Sequence, residues 1–218
     1  VNPKLKGILG AQYLAMGSDS RAFSIMVKAL EIDPMEAKNP PARGALPIPA
    51  TAVEEAIERF RKSAGKERNQ SVARSSMAVI QYFIGQSAKA KDSVARALRV
   101  DARNPGGLLY AAQIALDRNN VSEAKKRVNR LLTVGRGNAL SFLLSGRALA
   151  RQNKVKAARE ALASALRSNR GLTAATIALA ALALAAGKRT KAVEELRRAL
   201  DIDPNNMRVR RLLLEAKL

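Results

Sequence analysis

Cysteine, histidine and tryptophan are absent from the 218 residues, and only three Tyr and four Phe are present. Without a thiol or an imidazole, disulfides, Cys and His nucleophiles and most transition-metal ligand sets are excluded. Aromatics make up 3% of a chain that is 47% hydrophobic. Its core must therefore come from Ala, Leu, Val and Ile, which suits closely packed helices better than a sandwich or barrel. Long apolar runs are missing too: the longest, from Thr173 to Gly187, is 15 residues, short of the roughly 20 a membrane-spanning helix needs. It reads as a buried helix. Acidic residues are scarce, 18 Asp and Glu against 39 Lys and Arg, for a formal charge of +21. That excess calls for acidic partners, whether nucleic acid, anionic lipid, an acidic polymer or an acidic protein surface. The chain opens on Val1-Asn2-Pro3 with no charged-then-apolar leader and no lipid-acceptor Cys, which fits a cytosolic protein or a mature, processed one.

What is present is a period. Stepping back from Gly187 in intervals of 34 residues meets Asn153, Asn119, Gly85, Thr51 and Gly17, small turn-forming residues between an apolar and a more charged helical pattern. Five positions later stand Ala192, Ala158, Ala124, Ala90, Ala56 and Ala22. Seven further on stand Ala199, Ala165, Leu131, Ala97, Ser63 and Ala29, and twelve before each Ala stand Ala180, Gly146, Ala112, Ala78, Gly44 and Gly10. Two helices of an antiparallel hairpin approach closely only where facing positions are small, so a fixed phase of Gly and Ala marks their crossing. Met26, Phe60, Val94, Val128, Leu162 and Leu196 fill the space beside it. Asp-Pro-Asn after Ile202 ends the last second helix, because the residue before Pro is driven from helical geometry.

This pattern resembles the tetratricopeptide repeat, a 34-residue unit with small residues at its eighth, twentieth and twenty-seventh places and Pro at the thirty-second. "LGAQYLAMGSDSRAFSIMVKALEIDP" and "LAALALAAGKRTKAVEELRRALDIDP" carry the likeness most fully, and it extends over nearly the whole chain. The aromatics usual at the fourth and eleventh places are mostly lacking, with only Tyr13 and Phe142 present. The resemblance implies an all-α, right-handed superhelical solenoid of helix hairpins: unit 1 at 1–34, a degenerate unit 2 at 35–68, units 3 to 6 at 69–206, and a capping helix at 207–218. In unit 2, Pro40, Pro41, Pro47 and Pro49 forbid a helix. Residues 38–50 are therefore expected as a loop, with a surviving helix at 52–64. The Leu212 to Leu214 stretch is expected to pack as part of the cap that repeat stacks need.

In such a solenoid the first helices line a concave face. In this phase its lining residues are Tyr82, Phe83, Leu109, Tyr110, Gln113, Leu143, Leu144, Arg147, Arg151, Ile177, Ala178, Ala181 and Leu184. The groove so formed suits an amphipathic helix or an extended hydrophobic peptide, although packing between repeats accounts for such residues equally well. The carboxylate clamp of chaperone-binding relatives has no counterpart in the first unit, where Gly7 and Ala11 stand in its places.

From Asn120 to Arg170 twelve basic residues face only Glu123 and Glu160. Lys125, Lys126, Arg127 and Arg130 fall on a second helix, Lys154 and Lys156 on a turn, Arg159 beyond it, and Arg68, Arg136 and Arg170 share one phase at the ends of units. Residues 34 apart at one phase form a stripe, whose bland reading is a solvated surface. With no interleaved aromatics and no Gly-rich phosphate loop, it argues for acidic protein or lipid headgroups over nucleic acid. Catalysis has no support: acidic pairs such as Glu194 and Glu195 do not converge, and no Ser has a His partner. No cofactor and no metal are expected. The resemblance implies a non-catalytic scaffold or adaptor that binds a helix or peptide of a protein partner. Basic, Ala-rich arrays of this length are similar to the TadD-like and pilotin-like tetratricopeptide proteins of bacterial pilus and secretion machines. That similarity implies a secretin or pilus-assembly subunit as partner and a place in the periplasm or on the periplasmic face of the outer membrane. The alternative is a cytoplasmic module whose basic stripe binds an acidic polymer, nucleic acid or an anionic membrane.

Overall fold

In a computed structural model of the protein, the described residues are 70–83, 85–134, 138–202 and 204–217, with isolated positions between 9 and 62. Among the described residues nine helices are defined and no strand: α1 Gln70–Phe83, α2 Ser87–Val100, α3 Pro105–Asp117, α4 Val121–Val134, α5 Ala139–Arg151, α6 Val155–Ser168, α7 Thr173–Ala185, α8 Arg189–Ile202 and α9 Met207–Lys217. The second helices start at 87, 121, 155 and 189, one repeat apart each time. The chain is a solenoid of helix hairpins. Each first helix packs on its own second helix, each second helix on the next first helix, and α1, α3, α5 and α7 also pack on one another in succession. This last set of contacts makes the first helices the inner layer. The loop expected at 38–50 and most of the first unit lie outside the described residues. Positions 55, 57–60 and 62 are helical, and Ile57 and Phe60 pack with Tyr13 against the Val79, Ile80 and Tyr82 cluster.

Why the chain turns every 34 residues is visible in the backbone. Gly85, Asn119, Asn153 and Gly187 all have positive φ, at 82°, 58°, 57° and 69°. Gly meets this geometry without a Cβ penalty, and Asn is the side chain that tolerates it best. Each closes the same double bond. The amide of Gly85 donates to Tyr82 O and that of Gln86 to Gln81 O, and the pattern recurs at Asn119 and Asn120, Asn153 and Lys154, and Gly187 and Lys188. These are Schellman motifs, which satisfy carbonyls that a helix end would leave orphaned.

The other end of each hairpin is set by a second series. Asn104 accepts from Gly107 N at 2.7 Å, Asn138 from Ser141 N at 2.9 Å, and Asn206 from Val209 N at 3.1 Å. Each caps the helix that follows it, a contribution of about 1 kcal/mol apiece. Leu172 holds the equivalent place before α7 with no side-chain cap.

The small residues meet where the period puts them. Ala78, Ala90, Ala97, Ala112, Ala124, Ala158, Ala165, Ala192 and Ala199 are fully covered, and Val94, Val128, Leu162 and Leu196 fill the crossings. Gly146 marks the tightest, since a Cβ there would sit 2.6 Å from Leu162 Cγ and 3.2 Å from the Ala158 carbonyl oxygen. On α9, Val209 and Ala216 are buried and Leu212 and Leu213 lie against the α7 and α8 cluster. Leu214 departs from the expected cap packing and is 66% exposed, because one residue advances about 100° round a helix. No helix among the described residues is long and apolar enough to cross a membrane.

Candidate functional site on the inner helix layer

The inner layer carries most of the predicted groove residues, and the structure divides them into two groups. Tyr82, Tyr110, Gln113, Leu143, Leu144 and Ile177 are buried, none more than 5% exposed. Phe83 ends α1, and its side chain lies outside the described set. Leu109, Arg147, Ala178 and Leu184 are half-buried, while Arg151 and Ala181 are exposed. The large apolar groups therefore pack one repeat on the next, with the Tyr82 and Tyr110 rings 6.0 Å apart and tilted by 57°. What the inner face presents to a partner is smaller and more polar than the periodicity predicts.

Its polar side chains form a rail across three successive first helices. The Tyr82 hydroxyl of α1 donates to Asp117 Oδ2 of α3 at 2.7 Å. Gln113 Nε2, one turn before Asp117, donates to its Oδ1 at 2.8 Å. Gln113 Oε1 in turn accepts from Arg147 Nη1 of α5 at 2.8 Å, and Arg147 Nη2 lies 3.9 Å from Asp117 Oδ1. Gln113 serves as donor to the carboxylate and acceptor from the guanidinium, so one amide joins two charges. Arg151, one turn on, donates through Nη1 to Leu116 O at 2.6 Å and to Asn119 Oδ1 at 2.8 Å. It closes the end of α3 and steadies the left-handed Asn.

Burial sets the electrostatics of the rail. The Tyr82 hydroxyl is pushed well above its ordinary range, first by burial and then by the charge and hydrogen bond of Asp117; Gln113 and Arg147 act in the opposite sense. Arg147 is drawn below the usual guanidinium range, with burial the largest cause. Asp117 and Tyr82 oppose that shift, whereas Arg151 and Arg208 add like-charge repulsion to it. Arg208, on the first turn of α9, therefore shares the field of the α5 arginines. Asp117 escaped the sequence reading because it resembles an ordinary charge at a helix end. Its signal was its place, four residues after Gln113 and 34 before Arg151.

The basic stripe lies on the other layer. Lys125, Lys126 and Arg130 are exposed on α4, whereas Arg127 is half-buried with Nε bonded to Glu123 Oε1 at 2.5 Å. Lys154 is exposed in the turn, Lys156 is exposed within α6 rather than in the turn, Arg159 is half-buried on α6, and Arg170 is exposed after it. Arg68 and Arg136 lie outside the described residues. The charge is also broader than a stripe. The second helices α2, α4, α6 and α8 carry four, four, three and four basic residues against one, one, one and three acidic ones.

Residues 173–216 match the family model described as tetratricopeptide repeat. The fold is a tetratricopeptide-repeat solenoid. Among solved tetratricopeptide structures, the chain is similar to TTC0263, a thermophilic TPR protein of Thermus thermophilus, at 19% identity over 98% of each chain with a TM-score of 0.60. It is similar to YrrB, described as a TPR protein with an unusual peptide-binding site, at 20% identity over 77% of this chain and 84% of that one, TM-score 0.58. A chain of the APC/C hetero-tetramer Cut9-Hcn1 matches 99% of this chain with 43% of its own length, at 18% identity and TM-score 0.68. At these identities the likeness speaks to the tetratricopeptide fold alone. No curated protein matches the chain.

Proposed function

We propose that the protein is a non-catalytic tetratricopeptide scaffold that binds a helix or extended peptide of a protein partner along its inner layer. The observation that carries this reading is the inner layer itself. Successive first helices pack on one another and carry a strip of half-buried Leu109, Arg147, Ala178 and Leu184 and exposed Arg151 and Ala181. Such a strip offers apolar contact with a few fixed polar groups, the composition that peptide grooves use. The peptide-binding site named for YrrB supports the same use of this fold. In its finer form, the partner is a secretin or pilus-assembly subunit and the site of action is the periplasmic face of a bacterial outer membrane. That form is supported by the basic, Ala-rich composition and repeat length.

The test is an affinity capture from the native host at low and high salt, with the unmodified chain and a Leu109→Glu, Ala178→Glu variant as baits. Retention of a discrete envelope protein at high salt by the unmodified chain and its loss from the variant supports the reading. Capture that the variant preserves, or that vanishes with salt for both baits, contradicts it. Salt-sensitive capture would move the function to the cationic second helices. Their charge favours an acidic polymer or anionic membrane surface, since such contacts weaken steeply as counterions are added.

A further inference from the structure

The two helix layers share the charge of the solenoid unequally. Among the first helices, α1, α3, α5 and α7 hold only Arg74, Asp117, Arg147 and Arg151 as charged residues. Charge collects instead on the outer second helices, where α2, α4 and α6 each set three or four cations against one carboxylate, whereas α8 sets four against three. Two of those lone carboxylates are taken by arginines of their own helices, Asp92 by Arg96 at 3.0 Å and Glu123 by Arg127. Because the second helices start one repeat apart, residues separated by 34 stand abreast. Lys91 with Lys125, and Arg96 with Arg130, thus put like charges side by side, and all four are exposed. Lys91 and Arg96 lie about 140° apart round α2, with exposed Arg99 between them. The cations therefore cover the outward face in two dimensions instead of following one edge.

We propose that the outer face of α2, α4 and α6 docks the protein on a membrane rich in anionic phospholipid. Headgroup phosphates form a sheet of charge, which a two-dimensional field of Lys and Arg matches and a single nucleic-acid strand does not. The second helices also carry no aromatic residue on which bases could stack. A protein partner would need an apolar centre to its interface, yet among the described residues of these helices the one exposed large apolar side chain is Val100, at the end of α2. The same lack of apolar groups keeps the contact at the headgroups. Its attraction acts over roughly 8 Å at physiological ionic strength and yields to added salt. The inner layer stays open, so membrane docking and peptide capture are independent of one another.

The experiment is co-sedimentation of the full chain with vesicles of phosphatidylcholine alone or of phosphatidylcholine mixed with phosphatidylglycerol, at low and high salt. Binding to the mixed vesicles only, reversed by salt, is expected. The triple variant Lys91→Glu, Lys125→Glu, Arg130→Glu should weaken it at least tenfold, while Arg189→Glu, Lys191→Glu, Arg197→Glu, an equal change of charge on α8, should weaken it less than threefold. All six side chains are exposed, so thermal melts of both variants should match that of the unmodified chain. Lys125→Gln, Lys126→Gln, which only neutralises, keeps the comparison if charge reversal unfolds the protein, with at least a threefold loss expected. Equal losses in the two triple variants would reduce the effect to net charge and overturn the docking surface. So would binding to phosphatidylcholine alone, binding that survives salt, or no binding to either vesicle. Tighter binding of a single-stranded oligonucleotide, lost in the first triple variant, would also overturn it and assign the field to nucleic acid. None of these results touches the peptide groove, whose own test is the Leu109→Glu, Ala178→Glu bait.

Discussion

The inner faces of α1, α3 and α5 differ from those of α7 and α9 in how they use the same repeat positions. In the first region, Tyr82, Asp117, Gln113 and Arg147 bond helix to helix, so the inward polar groups answer one another. In the second, α7 offers Ala178, Ala181 and Ala185, and the hairpin is held by apolar packing of Ile177, Ala180, Leu196 and Val209. The period dictates where helices cross, and it leaves the inward positions free to be either struts or open surface. A groove can therefore be stiff over one stretch and receptive over the next with no change of backbone plan.

Removing the centre of the rail should show this contrast most strongly. Asp117→Ala takes the acceptor from a buried Tyr hydroxyl and a buried Gln amide and is expected to cost about 3 kcal/mol, read as a fall in the urea midpoint. Ala185→Gln, at the matching register of α7, should stay within about 0.5 kcal/mol of the unmodified chain. Equal losses would erase the distinction between the two regions. At the boundary between them, Gly146→Ala forces Leu162 away from the crossing of α5 and α6 and should cost about 2 kcal/mol. A full thermal melt checks this.

Tyr82→Phe is expected to cost about 1.5 kcal/mol, the scale of a hydrogen bond to a charged group, and it carries a pH signature. The folded chain holds the phenol proton more tightly than the unfolded chain, whose Tyr titrates near 10.0. The folded state thus keeps more protons bound above that pH, and stability is complete below about pH 10 and declines as pH rises further. The Phe variant should show a shallower alkaline decline in stability against pH. A profile unchanged between the two proteins would remove Tyr82 from the rail. The smallest of these effects is at a turn: Asn153→Ala should lose about 1 kcal/mol because of its left-handed backbone, while Asn153→Gly should not. Urea unfolding of both variants distinguishes backbone strain from a side-chain role.

Much of this architecture was readable from the chain. The phase of Gly85, Asn119, Asn153 and Gly187 marked the turns, because a left-handed residue selects Gly or Asn whatever surrounds it. The Gly and Ala series marked the crossings, because close approach admits little else. The inner face was less legible. Periodicity shows that Tyr82, Tyr110, Leu143 and Ile177 point inward, yet it does not separate a side chain lining a groove from one covered by the next repeat. Burial of these four follows from the packing of neighbouring first helices, a three-dimensional matter. The rail was half legible: Gln113 and Arg147 were placed on one face, while the periodicity did not single out Asp117, which joins them to Tyr82. On α9, Leu212 and Leu213 packed as the cap required, and Leu214 did not.

The most direct measurement places a photoreactive benzoylphenylalanine at position 181 on the inner layer or at position 126 on the outer one, then irradiates each protein in an extract of its native host. Protein adducts at 181 that an excess of the unmodified chain competes away, with none at 126, are the predicted result. Adducts at 126 and none at 181 would contradict the account, and would make the cationic second helices the working surface of the solenoid.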